Sequence, residues 1–376
     1  MAGIGGVARP AGGGLPWWAS VVVLPLLNVA AAFLVSALVF LAIGADPLDA
    51  LRVLVAGAFG DPELLGLTLY YTTNYVFTGL AVAIAFHCGL FNIGADGQAY
   101  VAGLGAGLAV LAMNDWPWWL AAPVAVAAAA ACGAGWAYGP GYLQAKRGSH
   151  IVITTIMFNF IAAALMNYML VEVLIERDQQ IPQSRAFDRS TWLPALHDVL
   201  AVFGIQTARS PLNVSLLLAL ACCAAFYVFV WHTRWGYEIR TVGQNERAAV
   251  YAGISPSRNI ILAMCLSGAL AGFVAINELM GVHHRIIIGF TGGAGFVGIA
   301  VALMGRNHPV GIVLSALLFG ALRQGGAELN FEFPNITPEM VVVIQGLIIL
   351  FAGALENLFR PQLEALFRRR PPAVAA

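Results

Sequence analysis

The sequence predicts an all-α polytopic membrane protein. Hydrophobic residues fill 60% of the 376 positions, charged residues only 10%, and mean hydropathy is +0.80. No soluble domain of this length needs so apolar a composition for its core. A bilayer core about 30 Å thick takes about 20 apolar residues in helix. Ten runs fit, near 17–43, 67–86, 90–113, 117–140, 151–175, 212–231, 259–280, 286–304, 309–325 and 339–355. With the N-terminus inside, twelve of the 19 basic residues lie on the inner side and six on the outer, Arg323 falling at a span end. This is the positive-inside pattern, and it places both termini in the cytoplasm.

Taken in order, residues 1–16 form an inner segment carrying Arg9, and residues 17–355 a transmembrane domain. The first run, Trp17 to Ile43, exceeds the roughly 7–15 residues of a cleaved signal's core and is expected to remain as a span. Segments 44–66 and 176–211 lie outside and are longer than simple turns, which suits short amphipathic helices on the membrane surface. Gly305 to Pro309 (GRNHP) leaves room only for a turn, so the runs it joins must be antiparallel neighbours. The run 286–304 contains Gly289, Gly292, Gly293, Gly295 and Gly298, which argues for a broken or re-entrant helix. The run 90–113 opens in the same way, Phe91, Gly94 and Ala95 matching Phe290, Gly293 and Ala294 in an F-x-x-G-A pattern. An inverted repeat of spans 1–5 and 6–10 would produce the match. So would chance in alanine- and glycine-rich sequence, and both readings stay open. Residues 356–376 form a basic inner tail with Arg360, Arg368, Arg369 and Arg370.

The most charged internal break is the inner loop 232–258, within which Trp235 to Ser257 reads WGYEIRTVGQNERAAVYAGISPS. Asn245 can cap a short helix over Glu246 to Ala252, and Gly253 offers the left-handed residue that ends one. Glu246 suits the helix dipole, and Ala248, Ala249 and Ala252 present a small-residue surface that another protein could approach. Arg240, Arg247 and Arg258 surround it with charge. The loop is therefore either a docking helix for a soluble partner or an ordinary solvated connection.

Polar residues inside the runs expect partners within the bundle, because lipid offers none. Asn74, Asn92, Asp96, Gln98, Asn159 and Asn277 are candidates to line a substrate pathway, with Asn167, Glu278 and Gln345 further polar points, Glu278 also lying at the outer end of its span. The competing reading is that they hold broken helices together by hydrogen bonds. Glu172, Glu278, His283, His284 and Arg285 read as interfacial.

Several classes are excluded. The single lysine, Lys146, lies in no G-x-x-x-x-G-K-[ST] loop, so this chain has no P-loop for ATP. No catalytic motif or metal-ligand spacing occurs, and the five cysteines read as apolar packing residues. Zero net charge argues against a nucleic-acid partner. Transport is the better class and a membrane-embedded transferase the poorest fit, and an intramembrane acid such as Asp96 is what an ion-coupled carrier would show.

The runs GLAVAIAFHCGLFNIGADGQAYVAG (79–103), GSHIVITTIMFNFIA (148–162), RTVGQNERAAVYAGIS (240–255) and CLSGALAGFVA (265–275) resemble the permease subunits of bacterial ABC importers for simple sugars and nucleosides. The FNIGADGQ segment looks most like the nucleoside branch. The inner loop is similar to that of the ribose-type and branched-chain amino acid branches as well. The resemblance implies a fold like the ten-helix permeases of vitamin B12-type importers, in the bacterial inner membrane. It implies a second homologous permease, ATP-binding cassette subunits holding ATP and Mg in the cytoplasm, and a periplasmic or lipid-anchored substrate-binding protein. No cofactor would be bound by this chain. By position, Asn245 to Gly253 would be the coupling helix, with Arg240, Asn245, Glu246, Arg247, Ala248, Ala249 and Gly253 engaging the ATPase. Nucleosides are the expected substrate, with simple sugars and an ion-coupled carrier as the alternatives.

Overall fold

The computed structural model describes residues 46–176, 179–205, 207–333, 336–337 and 340–343, with isolated positions on either side. The run at 17–43 lies almost wholly outside the described residues, as do most of the run at 339–355, Gln345 and the tail from 356. Two compact units make up the chain, residues 54–328 and the terminal segments 1–53 and 329–376. In the terminal unit, Asn330 turns back to donate to the Ile336 carbonyl.

The described elements are helical. In order they are α1 (Pro47–Phe59), α2 (Pro62–His87), α3 (Ala95–Leu111), α4 (Trp118–Arg147) and α5 (Ile151–Tyr168), the last continuing as a π-helical turn Met169–Val173. There follow α6 (Leu196–Val202), α7 (Ser215–His232), α8 (Arg234–Gln244), α9 (Glu246–Tyr251) and α10 (Pro256–Gly272), which leads into a π-helix Ile276–His283. The last two are α11 (Ala294–Met304) and α12 (Pro309–Glu332). Six of these, α2, α4, α5, α7, α10 and α12, are long and apolar enough to cross a membrane once the π-helical continuations are counted. The chain is thus an all-α, multi-pass membrane protein, and every run between 67 and 325 meets a helix.

Two packing features organise residues 54–328. The first is α2, buried without a break from Thr72 to Ala85 among α7, α10 and α11. A helix apolar on every side belongs in the centre of a bundle. The second is a stripe of small residues on α4: Ala121, Ala125, Ala129, Gly133, Ala137 and Gly141 recur every fourth position, and all are buried. This stripe meets α10 at Gly268 and Gly272. A Cβ added at Gly133 would lie 2.2 Å from the Gly268 carbonyl oxygen, and one at Gly268 would lie 2.1 Å from that of Gly133. The two backbones are in direct contact, the close approach that small residues allow between helices in lipid.

The glycine-rich run is broken as its composition demands. Gly289, Gly292 and Gly293 take positive φ, and α11 begins only at Ala294. Its 11 residues rise roughly 17 Å, about half the bilayer core. The run before α3 is broken as well, with the positive φ at Gly89 and Gly94 at φ −84°, and the two F-x-x-G-A copies share their place relative to the helix: Gly94 and Gly293 are N-caps, Ala95 and Ala294 the first helical residues. Residues 286–295 run back along α3. Ile286 packs on Gly107, Phe290 on Gly103, and Gly295 on the backbone of Asp96. The N-termini of α3 and α11 therefore meet inside the bundle.

The long segments differ. Segment 44–66 contains the expected helix, α1. Among its described residues, segment 176–211 contains α6 and a short 3-10 turn Arg189–Thr191, with most of the others outside regular structure. Pro182, Pro194 and Pro211 interrupt it. This stretch caps the end of the bundle: Ser184 N–H donates to Ile286 at 3.0 Å, Phe187 to His284 at 2.7 Å and Leu193 to Met280 at 3.1 Å. The GRNHP turn is tight, with Arg306 and Asn307 at positive φ and Gly311 packed on Gly305.

Candidate functional site

At the end of the bundle that carries residues 232–258, α8 buries Gly236, Ile239 and Val242 and leaves Trp235 and Tyr237 exposed. The three- and four-residue spacing of its apolar face makes it amphipathic. Thr233 caps it, its hydroxyl accepting from Gly236 N–H at 3.1 Å. Arg234 donates to Glu238 at 2.8 Å and holds that carboxyl below the usual carboxylate range.

A sharp turn leads into α9. The Asn245 side chain accepts from Ala248 N–H at 3.0 Å as the N-cap, and Gly253 has φ +75° with nothing around it. The cap and stop read from the sequence are therefore in place. Glu246, Arg247 and Ala248 are exposed. So are Val250 and Tyr251, the latter 94% accessible and the most exposed large hydrophobic side chain among the described residues. Sequence reasoning did not single out this tyrosine. Ala249 behaves differently from its neighbours: it is fully buried, in an apolar cluster with Cys88, Leu90, Ile239 and Ile260. It fastens α9 to the bundle instead of facing outward. Arg240 is half-buried on α8.

The junction under α8 and α9 leads into the first broken helix. A Cβ at Gly243 would sit 2.2 Å from the His87 carbonyl oxygen, so α8 lies against the last turn of α2. Four residues past Cys88 begins a knot of polar side chains. Asn92 accepts from Gly94 N–H at 2.8 Å and donates to Ser267 at 2.8 Å and to Gln98 at 3.1 Å. Asn159, from α5, accepts from Gly97 N–H and donates to the Ile93 carbonyl, both at 2.9 Å. It thereby satisfies backbone groups on both sides of the α3 start. Asp96 accepts from Gly295 N–H at 3.3 Å, so a carboxylate from the start of α3 serves the start of α11.

Asn74 and Asn277 belong to a second cluster. Asn277 donates to Asn74 at 2.8 Å and accepts from Asn213 at 2.8 Å and from Ser215 at 2.7 Å. Beside it Glu278 accepts from Tyr70 at 2.6 Å and from Asn74, and lies 3.3 Å from His283. Glu278 is therefore not interfacial as its place near a span end suggested. It is 5% exposed, because the π-helix and the capping segment 180–195 extend the buried region past it. His284 is half-buried too, stacked on Trp192 with ring centroids 3.7 Å apart, and burial pushes its imidazole down. Of the six pathway candidates the structure thus joins Asn92, Asp96, Gln98 and Asn159 in one group and Asn74 with Asn277 in another. Asn74, Asn92, Gln98 and Asn277 are buried and hydrogen-bonded to other side chains.

An all-α bundle with helices broken inside it is an architecture that membrane transporters use. Residues 64–353 match the family described as the branched-chain amino acid transport system / permease component, and the chain belongs to that family. It is 35% identical over 335 residues to the guanosine ABC transporter permease protein NupP of Bacillus subtilis, covering 88% of this chain and 92% of the relative. It is 33% identical over 340 residues to the nucleoside ABC transporter permease protein NupB of Lactococcus lactis, covering 88% and 90%. A glucose ABC transporter permease protein, TsgB13 of Haloferax volcanii, is 33% identical over 346 residues, covering 92% and 90%. No solved structure matches the chain.

Proposed function

We propose that this chain is the translocation subunit of an ATP-driven nucleoside importer in a bacterial inner membrane, and that α9 is where the partner ATPase engages it. The observation that carries the coupling role is the exposure of Arg247, Ala248, Val250 and Tyr251 on a helix whose Ala249 is locked into the bundle. A push on α9 is thus delivered through Ala249 to Cys88 and Leu90, and from there to the broken start of α3. The pieces along that line are rigid and packed, the kind of contiguous element through which two sites can be coupled. ATP shifts the permease only insofar as the ATPase grips α9 differently when closed. Arg247, Ala248, Glu246 and Gly253 are the contact candidates retained from the sequence, and Tyr251 joins them. Ala249 acts behind them, and Asn245 through the cap.

The reading includes ten spans with both termini in the cytoplasm, an inverted repeat, a second permease and a substrate-binding protein outside. The repeat is supported by the paired half-helices that start at Ala95 and Ala294. Among the pathway candidates, Asp96 keeps partial exposure at the meeting point of those helices. Asn74, Asn92, Gln98, Asn159 and Asn277 fix the framework around it. Nucleosides are favoured by two of the relatives, and a simple sugar is the second reading, favoured by the glucose permease of similar identity. An ion-coupled carrier is set aside by the family. Uptake of radiolabelled guanosine by cells expressing the whole transporter, challenged with excess uridine or glucose, tests the substrate. Competition by uridine and not glucose supports the nucleoside reading, and competition by glucose alone overturns it.

A further inference from the structure

Next to α9, and unused by the coupling role, a cavity of about 370 Å³ opens between the starts of α8 and α10, lined by Thr233, Arg234, Trp235, Glu238 and Arg258. The two helices are held side by side there, Asn259 of α10 reaching Glu238 of α8 at 3.4 Å. Two guanidinium groups face a single carboxylate. Arg234 is 88% exposed and already engages Glu238, whereas Arg258 is exposed and acts on Glu238 only at longer range, with no hydrogen bond or close ion pair to its guanidinium among the described residues. The cavity keeps one unbalanced positive charge and a free planar fork of donors, the arrangement that takes a phosphate in two-point contact.

Its surroundings narrow the ligand. Trp235 and Tyr237, 54% and 57% exposed, stand three and five residues past the end of α7, where a span leaves the membrane. Exposed aromatic residues at that depth mark the headgroup layer. Basic pockets between spans on the cytoplasmic side are suited to anionic lipid headgroups. We propose that the cavity between Arg234 and Arg258 is a binding site for a phosphate-bearing anion, supplied by an acidic phospholipid headgroup or by soluble phosphate. It rests on the preceding reading only for its cytoplasmic placement. A headgroup bound here would hold α8 against the membrane surface and so set the position of α9, to which α8 is joined at Asn245.

The test uses the full chain purified in neutral detergent, with native mass spectrometry counting retained lipids after exposure to dioleoyl phosphatidylglycerol or phosphatidylcholine. The wild type should retain phosphatidylglycerol in preference, and each of R234Q and R258Q should weaken that preference about fivefold. E238Q removes the competing carboxylate and should strengthen it, a change of opposite sign that misfolding would not give. If inorganic phosphate at about 10 mM, roughly tenfold above a dissociation constant of 1 mM, displaces phosphatidylglycerol, the site takes soluble phosphate as well. If it does not, the headgroup is the ligand. Equal retention of the two lipids by the wild type, or a preference unmoved by R234Q, R258Q and E238Q, overturns the proposal. No transport is measured, so failure here leaves the coupling role of α9 standing, and failure of that role leaves this site standing.

Discussion

Gly133 and Gly135 lie two residues apart on α4, and alanine should have opposite effects at the two. A Cβ at Gly133 would be 2.2 Å from the Gly268 carbonyl oxygen, whereas one at Gly135 meets nothing within 4 Å. Even the closest favourable carbon–oxygen contacts between helices keep about 3.3 Å. Gly133→Ala must therefore separate α4 and α10 by roughly 1 Å, opening the contacts of Ala129, Ala137 and Gly272 along the same seam. Overpacking of this kind costs about 1–3 kcal/mol. Alanine returns up to about 1 kcal/mol over glycine through helix propensity. With the full alanine return, Gly133→Ala should then destabilise by a net of up to about 2 kcal/mol, and Gly135→Ala should be neutral or stabilise by up to about 1 kcal/mol. Unfolding of the purified chain by sodium dodecyl sulfate in mixed micelles, followed by far-ultraviolet circular dichroism, gives both differences. Equal shifts for the two variants would refute the direct backbone contact. Gly268→Ala on the facing helix should reproduce the Gly133→Ala loss, and the double variant should lose less than the sum, since one separation serves both.

Two further substitutions address the site. Asn245→Ala removes the α9 cap and should cost about 1 kcal/mol of local helix stability, while Asn245→Asp keeps it. Hydrogen exchange at Ala248 and Ala249 should quicken only in the alanine variant. Tyr70→Phe removes a donor from buried Glu278 and should lower stability by about 1–3 kcal/mol, in the same denaturation assay. An unchanged midpoint would mean that His283 and Asn74 alone satisfy the carboxylate.

Much of this was legible before the fold was known. The positions of the six long apolar helices follow from run length, the α11 break from five glycines, and the α9 boundaries from Asn245 and Gly253, because each signal is local. Glu278 was misplaced because its burial depends on a π-helix and on a capping segment more than 80 residues upstream, and neither leaves a periodic trace in sequence. Ala249 was grouped with its exposed neighbours for a similar reason: a six-residue helix has too few positions for a burial period to show. Asp96 and Asn159 were picked out by their rarity in apolar runs. That each serves the start of a half-helix required the tertiary meeting of α3, α5 and α11.

The most direct test of the central claim is affinity capture of the tagged full chain from its own host membranes in mild detergent, comparing wild type with Tyr251→Asp and with Arg247→Glu. Both side chains are exposed and away from the core, so the variants should fold and reach the membrane. The account predicts that an ATPase with a phosphate-binding loop accompanies the wild type, is lost from both variants, and that uptake is lost with it. An ATPase retained equally by all three, with uptake unchanged, would contradict the assignment of α9 as the coupling helix.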